Sequence, residues 1–151
     1  MDVYRDRRGD MNIVMEFANA GSLEGVIKEH ARDGTKIKEE YIKKVLFQIL
    51  LGLRHCHDRK ILHRDIKPEN IFLSDEGKVV KLGDFGISKM LESHKGAMAK
   101  TQKGTLAHMS PEVYMGKQYD SKSDIWAIGT TLYSLMTRDA LFKQKGIGEH
   151  E

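Results

Sequence analysis

Residues 61–73 read ILHRDIKPENIFL, with His63, Arg64, Asp65, Lys67, Glu69 and Asn70 held between two apolar flanks. An acid, a base and an amide this close together suit a proton transfer carried out beside a charged group. Asp65 is the natural proton acceptor, because an aspartate held by its neighbours takes a proton from a hydroxyl within hydrogen-bond reach. Lys67 brings a point charge suited to steadying a transferring phosphoryl group. Asn70 offers an amide oxygen, a hard ligand of the kind magnesium takes. Pro68 keeps the residue before it extended, which restrains the loop. A surface loop with solvated charges accounts for any one of these residues alone, but poorly for the whole string in this order.

A second stretch, GDFG at 83–86, places Asp84 after an apolar run, with a glycine on either side of the Asp-Phe pair to let the backbone turn sharply. A strand end followed by a turn explains that tripeptide on its own. Its position adds more: Asp84 lies 19 residues after Asp65 (84 − 65), and a strand–turn–strand fits between them. Such a hairpin brings Asn70 and Asp84 near one another, giving two oxygen ligands for a divalent metal. A third stretch, GTLAHMSPE at 104–112, ends in Pro111 and Glu112 before the next helical region. Thr105 and Ser110 in it also fit simple turn positions.

The elements that must position these residues follow from hydrophobic period. MNIVMEF (11–17) predicts a strand, with Ile13, Val14, Met15 and Phe17 as its apolar surface, and NAGS (19–22) a turn. A short helix is expected over 23–34, stopping near Gly34. The clearest helix spans 38–59, where Ile42, Val45, Leu46, Ile49, Leu50 and Leu53 form one buried face and Lys43 and Lys44 point away. Strands at 70–74 and 78–86 predict a hairpin around Asp75-Glu76-Gly77. Residues 92–104 read as a polar loop. Residues 120–137 predict a helix that is apolar nearly all round and so belongs in the middle of a core. The tail 143–151 shows no usable period.

The 151 residues suffice for one domain with one core, and 40% hydrophobic with 31% charged residues is a globular balance. A formal charge of +3 implies no strong commitment to nucleic acid or to a membrane surface. No basic, aromatic-studded stripe supports nucleic-acid binding, and no apolar run approaches the ~18 residues of a membrane span. The start, MDVYRDRRGD, lacks the apolar stretch of a secretory signal, and one cysteine, Cys56, fits a reducing compartment. Cytoplasm or nucleus is the expected location. His55, Cys56 and His57 cluster near His63, but residues 55 and 57 do not share a helix face, which argues against zinc.

Taken together, the three stretches resemble the protein kinase catalytic domain. HRDIKPEN looks like its catalytic loop, DFG its metal-binding motif, SPE a variant of its A-P-E motif, and SDIWAIG (123–129) its D-x-W-x-x-G helix. Lys67, two residues after the aspartate, is similar to the serine/threonine class. NIVMEFANAGSL, NIFLS and KLGDFGISKML look closest to the NIMA-related (Nek) kinases. The implied fold is α+β and kinase-like: a mainly helical C-terminal lobe with the hinge strand and short β-hairpins, most of the N-terminal lobe being absent. The implied division of 1–151 is a partial kinase domain, with the last N-lobe strand and hinge at about 11–18, the C-lobe at 19–142 and an unassigned tail at 143–151.

The resemblance also implies roles and cofactors, ATP and Mg²⁺. Asp65 is the implied base, Lys67 contacts the transferred phosphate, and Asn70 and Asp84 hold Mg²⁺. Glu16 and Ala18 offer backbone groups to the adenine edge, Met15 guards the pocket and Phe72 forms its floor. Thr101, four residues before Thr105 of the substrate loop, falls at the family's activating phosphorylation site, with Arg64 and Lys89 as partners for a phosphate carrying about −1.5 to −2 charges. The implied substrate is a protein serine or threonine. Cytoskeletal, centrosomal, basal-body or ciliary partners and locations follow only by family association.

The chain departs from the pattern in places. It contains no G-x-G-x-x-G loop, no V-A-I-K-like strand lysine and no glutamate helix before Met11. Family logic needs those parts, so little transfer is expected from this chain alone. The family's loop reads G-T-P-x-Y/F before M/L-S-P-E, whereas here Leu106 and Ala107 follow Thr105 and His108 takes the aromatic place. The arginine that pairs with Glu112 in the family has no counterpart segment. Two readings result: an ATP-dependent serine/threonine kinase, or a non-catalytic kinase-like (pseudokinase) binding module or scaffold.

Overall fold

The computed structural model describes residues 2–83 and 106–142. Helix α2, Glu39–Asp58, is the longest element and the platform for the rest. Its first turn carries Glu39 and Glu40, which pair with Lys43 and Lys44 four residues on at 2.6 and 2.8 Å. Glutamate preceding lysine at this spacing, at a helix N-terminus, supports the helix locally. Ile42, Val45, Ile49, Leu53 and Cys56 form its buried stripe. That stripe is narrower than the period predicts. Leu46 is half-buried and Leu50 is 41% exposed, because each lies one step, about 100°, round from a buried position.

Helix α1, Leu23–Arg32, buries Leu23 and Ile27. It ends just before Gly34, whose φ of +65° is a backbone state that glycine adopts freely. A loop then runs to α2 with Ile37 inserted into the core.

Two hairpins flank these helices. In the first, β1 (Asp2–Arg5) pairs antiparallel with β2 (Met11–Val14), from Asp2↔Val14 to Arg5↔Met11. The turn is closed by Asp6, whose Oδ1 accepts from the amides of Arg8 (2.8 Å) and Asp10 (3.0 Å). Two expectations change here. Strand β1 is hidden in the sequence because its ends are charged, and β2 stops at Val14, which pairs with Asp2 at the end of the described register. In the second hairpin, β3 (Ile71–Ser74) pairs antiparallel with β4 (Val79–Leu82). The turn between them runs through Asp75, Glu76 and Gly77, all at positive φ. The strand expected to reach residue 86 ends at Leu82.

Both edges of the second hairpin are occupied. On the β3 side, the Ala20 amide donates to the Leu73 carbonyl at 2.9 Å and the Leu73 amide to the Gly21 carbonyl at 2.8 Å. On the β4 side, Gln48 of α2 acts like a fragment of strand: its Nε2 donates to the Lys78 carbonyl at 3.0 Å, and its Oε1 accepts from the Val80 amide at 3.1 Å.

A short helix, α3 (Pro111–Tyr114), precedes α4 (Ser121–Thr137). Asp120 caps α4 by accepting from the amides of Lys122 (2.7 Å) and Ser123 (3.2 Å). Arg138 ends the helix in the left-handed state, its amide donating to Ser134, and its Nη1 reaches the Thr35 carbonyl at 2.8 Å. The expectation that α4 is buried all round is corrected. Its buried face holds small or polar residues, Ser123, Asp124, Ala127, Thr130, Thr131 and Ser134, with Ile128 and Leu135. Its bulkier apolar residues Ile125 and Met136 are 46% and 63% exposed. The core is the region where α1, α2, β3 and α4 meet around Leu23, Ile49, Leu53, Ile66, Ile71 and Leu135.

Replacing Gln48 by alanine leaves the Val80 amide and the Lys78 carbonyl without their partners. The expected result is a loss of about 1 kcal/mol in urea denaturation, with faster hydrogen exchange at the Val80 amide and not at Leu73.

Candidate active site

The stretch from His63 to Asn70 has little regular structure of its own and is held from below. The anchor is Asp124 on α4, which is fully buried. Its Oδ2 accepts from the His63 amide at 3.1 Å and its Oδ1 from the Arg64 amide at 3.0 Å. Two successive backbone N–H groups thus grip one carboxylate. His57 Nε2, from the end of α2, lies 2.7 Å from the same Oδ2, and the Tyr119 hydroxyl donates to Oδ1 at 2.5 Å. A buried carboxylate is tolerable only when its lone pairs are filled in this way. The arrangement holds Arg64 at φ +70°, a state that costs an ordinary residue about 1–3 kcal/mol.

Beyond the turn, Lys67 adopts the extended backbone that the following proline demands (φ −163°, ψ 162°). Pro68–Asn70 then form one 3-10 turn leading straight into β3. The result is a compact cluster. Asp65 Oδ2 receives Lys67 Nζ at 3.1 Å and Asn70 Nδ2 at 2.9 Å. Asn70 Nδ2 also donates to the Asp65 carbonyl at 2.9 Å. Because the amide nitrogen serves two acceptors on Asp65, the amide oxygen of Asn70 is turned away from Asp65. The Asn70 carbonyl accepts from the Gly83 amide at 3.0 Å, so the hairpin returns the chain to Asn70 one residue before Asp84.

Phe72 is half-buried, and a methyl group added to Gly83 would lie 2.5 Å from its Cε2. Only glycine lets the ring occupy that place. Opposite Phe72 on β4 stands Lys81, whose ammonium pairs with the Glu16 carboxylate. The segment after β2 is thereby tied to the neighbour of Phe72. Met15 is 61% exposed and Ala18 half-buried. Glu112 receives the Ser123 hydroxyl at 2.8 Å, so its partner within the described residues is α4.

Of the residues singled out from the sequence, Asp65, Lys67 and Asn70 come into direct contact. Met15, Glu16, Ala18 and Phe72 lie on or beside the hairpins, and Arg64 forms the turn. Asp84, Lys89, Thr101 and Thr105 lie outside the described residues. The histidines weighed as zinc ligands have other partners: His57 engages Asp124, and His55 Nδ1 lies 3.1 Å from Arg59 Nη1.

The site is thus a carboxylate sharing one oxygen with a lysine and an asparagine, on a loop pinned to a helix aspartate. The family model for the protein kinase domain matches residues 1–151. The chain belongs to the protein kinase family. It is 47% identical over 129 residues to serine/threonine-protein kinase Nek5 of Homo sapiens, covering 85% of this chain and 18% of that protein. It is 43% identical over 141 residues to serine/threonine-protein kinase Nek2 of Mus musculus (88% and 31%). It is 41% identical over 143 residues to MAP kinase kinase skh1/pek1 of Schizosaccharomyces pombe (95% and 38%). The chain thus spans less than two-fifths of these relatives. The kinase-like α+β fold and the likeness to Nek kinases, read from the motifs, both agree with these matches.

Sequence reasoning placed Asp124 only within a helix motif and missed that the 63–70 loop hangs on it. The signal was available: one acid in an otherwise apolar and hydroxyl-rich helix face. His57 and Tyr119 gave no such signal, since their partner lies 67 and 5 residues away.

Asp124→Ala leaves four donors without an acceptor, and a loss of about 3–5 kcal/mol is expected in urea denaturation. Tyr119 gives a pH test. Burial first, then its hydrogen bond to Asp124, raises its hydroxyl well above the ordinary value of 10.0. The folded state therefore holds this proton more tightly than the unfolded chain, so the stabilisation is full below pH 10 and declines as pH rises above it. Tyr119→Phe is expected to flatten that alkaline decline, measured as melting temperature against pH beside the parent chain.

Proposed function

We propose that this chain carries the catalytic loop of a Nek-like serine/threonine protein kinase, transferring the terminal phosphoryl group of MgATP to a protein hydroxyl. The observation that carries the reading is the sharing of Asp65 Oδ2 by Lys67 and Asn70. In it, Asp65 accepts the proton of the substrate hydroxyl as the new P–O bond forms. Lys67 keeps the carboxylate in place and brings positive charge to the side where the phosphoryl oxygens gather. The donor set suits magnesium: Asn70 offers an amide oxygen turned away from Asp65, and Asp84 follows the residue bonded to the Asn70 carbonyl. Magnesium, when bound, neutralises charge on the phosphates.

The residues near Phe72 fit a planar base. Phe72 supplies an aromatic floor, Gly83 leaves room beside it, and the Glu16–Lys81 pair holds the segment 15–18 against the same hairpin. The division into hinge (about 11–18), C-lobe (19–142) and tail (143–151) is part of this reading. So is a regulatory phosphate on Thr101 answered by Arg64 and Lys89. Within 1–151 there is no G-x-G-x-x-G sequence. The chain by itself is therefore a poor catalyst, since phosphoryl transfer depends on positioning and charge from every side. The substrate is a protein with serine or threonine at the acceptor site. Cytoskeletal or ciliary partners, and a location in the cytoplasm, centrosome, basal body or nucleus, extend the reading by kinship with Nek kinases.

The test is phosphotransfer from MgATP to a serine/threonine peptide library by the purified chain, with Asp65→Asn beside it. Turnover is expected at least ~10²-fold below that of a full kinase domain assayed in parallel, and the remainder is expected to vanish in Asp65→Asn. Full-rate turnover would sink the claim of a poor catalyst. Turnover that survives Asp65→Asn would remove Asp65 from the chemistry.

A further inference from the structure

His108 occupies a position where the kinase pattern carries an aromatic residue, and the structure gives it a partner. Its Nδ1 lies 2.8 Å from the hydroxyl oxygen of Thr130, a residue of α4 that is only 3% exposed. The same hydroxyl donates to the Ala127 carbonyl at 3.0 Å, a bond back along its own helix. A hydroxyl has one proton to give and lone pairs to receive. With that proton on the Ala127 carbonyl, Thr130 Oγ1 acts toward His108 only as acceptor, and the hydrogen between them belongs to Nδ1. The ring is then the Nδ1–H tautomer, with its Nε2 lone pair on the opposite side.

The surroundings disfavour its charged form. Burial, the largest influence, pushes the imidazole below its ordinary value, and Lys67 acts in the same sense. Glu69 and Asp65 of the catalytic loop and Glu24 of α1 oppose it. Among the described residues these four are the charged groups whose fields reach the ring, while α4 presents the uncharged Thr130. Charging His108 would place a cation in a half-buried site, so acid works against this arrangement.

The neighbours of His108 do something different. Leu106, Ala107 and Met109 line a cavity of about 330 Å³ together with Pro111, Tyr114 and Trp126. The segment 106–110 is thus held to α4 by His108 while its apolar side chains form the wall of a hollow. We propose that His108 is a positioning residue: its Nδ1–H bond to Thr130 fixes segment 106–110 and so shapes the apolar wall offered to a protein substrate. The substrate clause rests on the kinase reading above; the bond and its effect on the wall do not. An aromatic residue at this place fills space, whereas His108 adds a directed bond that a change of protonation or of Thr130 can alter.

The test needs no turnover. Long-range ¹⁵N–¹H spectra of the labelled 151-residue chain at pH 7 are expected to show His108 protonated at Nδ1 and bare at Nε2, titrating below 6.5. Thr130→Val keeps the side-chain shape and removes the acceptor. It is expected to release His108 from the Nδ1–H tautomer and to shift the methyl resonance of Met109. Thr130→Ser, which keeps the hydroxyl, is expected to leave both as in the parent. An Nε2–H tautomer in the parent chain, or a Met109 methyl unmoved in a folded Thr130→Val, would overturn the proposal. Should Thr130→Val fail to fold, the parent tautomer and the Thr130→Ser spectrum decide. Phosphotransfer that survives Asp65→Asn would count against the kinase reading and leave these spectra unchanged.

Discussion

One buried carboxylate organises the site. Taking a charged group such as Asp124 out of water costs several kcal/mol even after relaxation, and four donors from three directions offset that cost. Two are backbone amides of the loop it supports, one comes from the end of α2, and one from the segment leading into α4. The loop is therefore fixed to two helices at once through a single pair of oxygens. The unusual backbone of Arg64 persists because releasing it would strand the carboxylate. This couples the loop to the fold: Asp65, Lys67 and Asn70 follow irregular chain, yet that chain is anchored to the helices below.

The next layer uses the same economy of atoms. Asp65 presents an oxygen to both Lys67 and Asn70, so its carboxylate cannot rotate without disturbing both. Groups held this way need little reorganisation when charge moves, which is the physical basis of preorganised catalysis. Pro68 contributes from the backbone by keeping Lys67 extended. The two amide bonds of Asn70 then relay the geometry into β3.

Much of this was legible in residue types and spacing. The long helix over 39–58, the hairpin around Asp75–Gly77 and the cluster of Asp65, Lys67 and Asn70 follow from period, turn chemistry and motif. What escaped was decided by partners distant in sequence. Strand β1 has no apolar alternation between its charged ends and is set by pairing with β2. Leu50 belongs to the helical period but lies just outside the stripe that meets the core. The face of α4 was misread because its buried side consists of hydroxyls and one acid, which only a neighbouring loop in need of acceptors makes favourable. Phe72 was read as a floor, but the need for a bare Gly83 beside it depends on ring placement that no spacing reveals.

The second hairpin carries a consequence for alignment. With residues 20–21 bonded along β3 and Gln48 bonded along β4, neither outer margin is open to a stray strand. The same bonds forbid slippage. Sliding β4 by one place would turn its side chains to the opposite face, pull Lys81 from Glu16 and carry Gly83 out of step with Asn70. A glutamine on a helix, far from any reacting atom, thereby acts as a ratchet pawl that fixes where the chain re-enters the site.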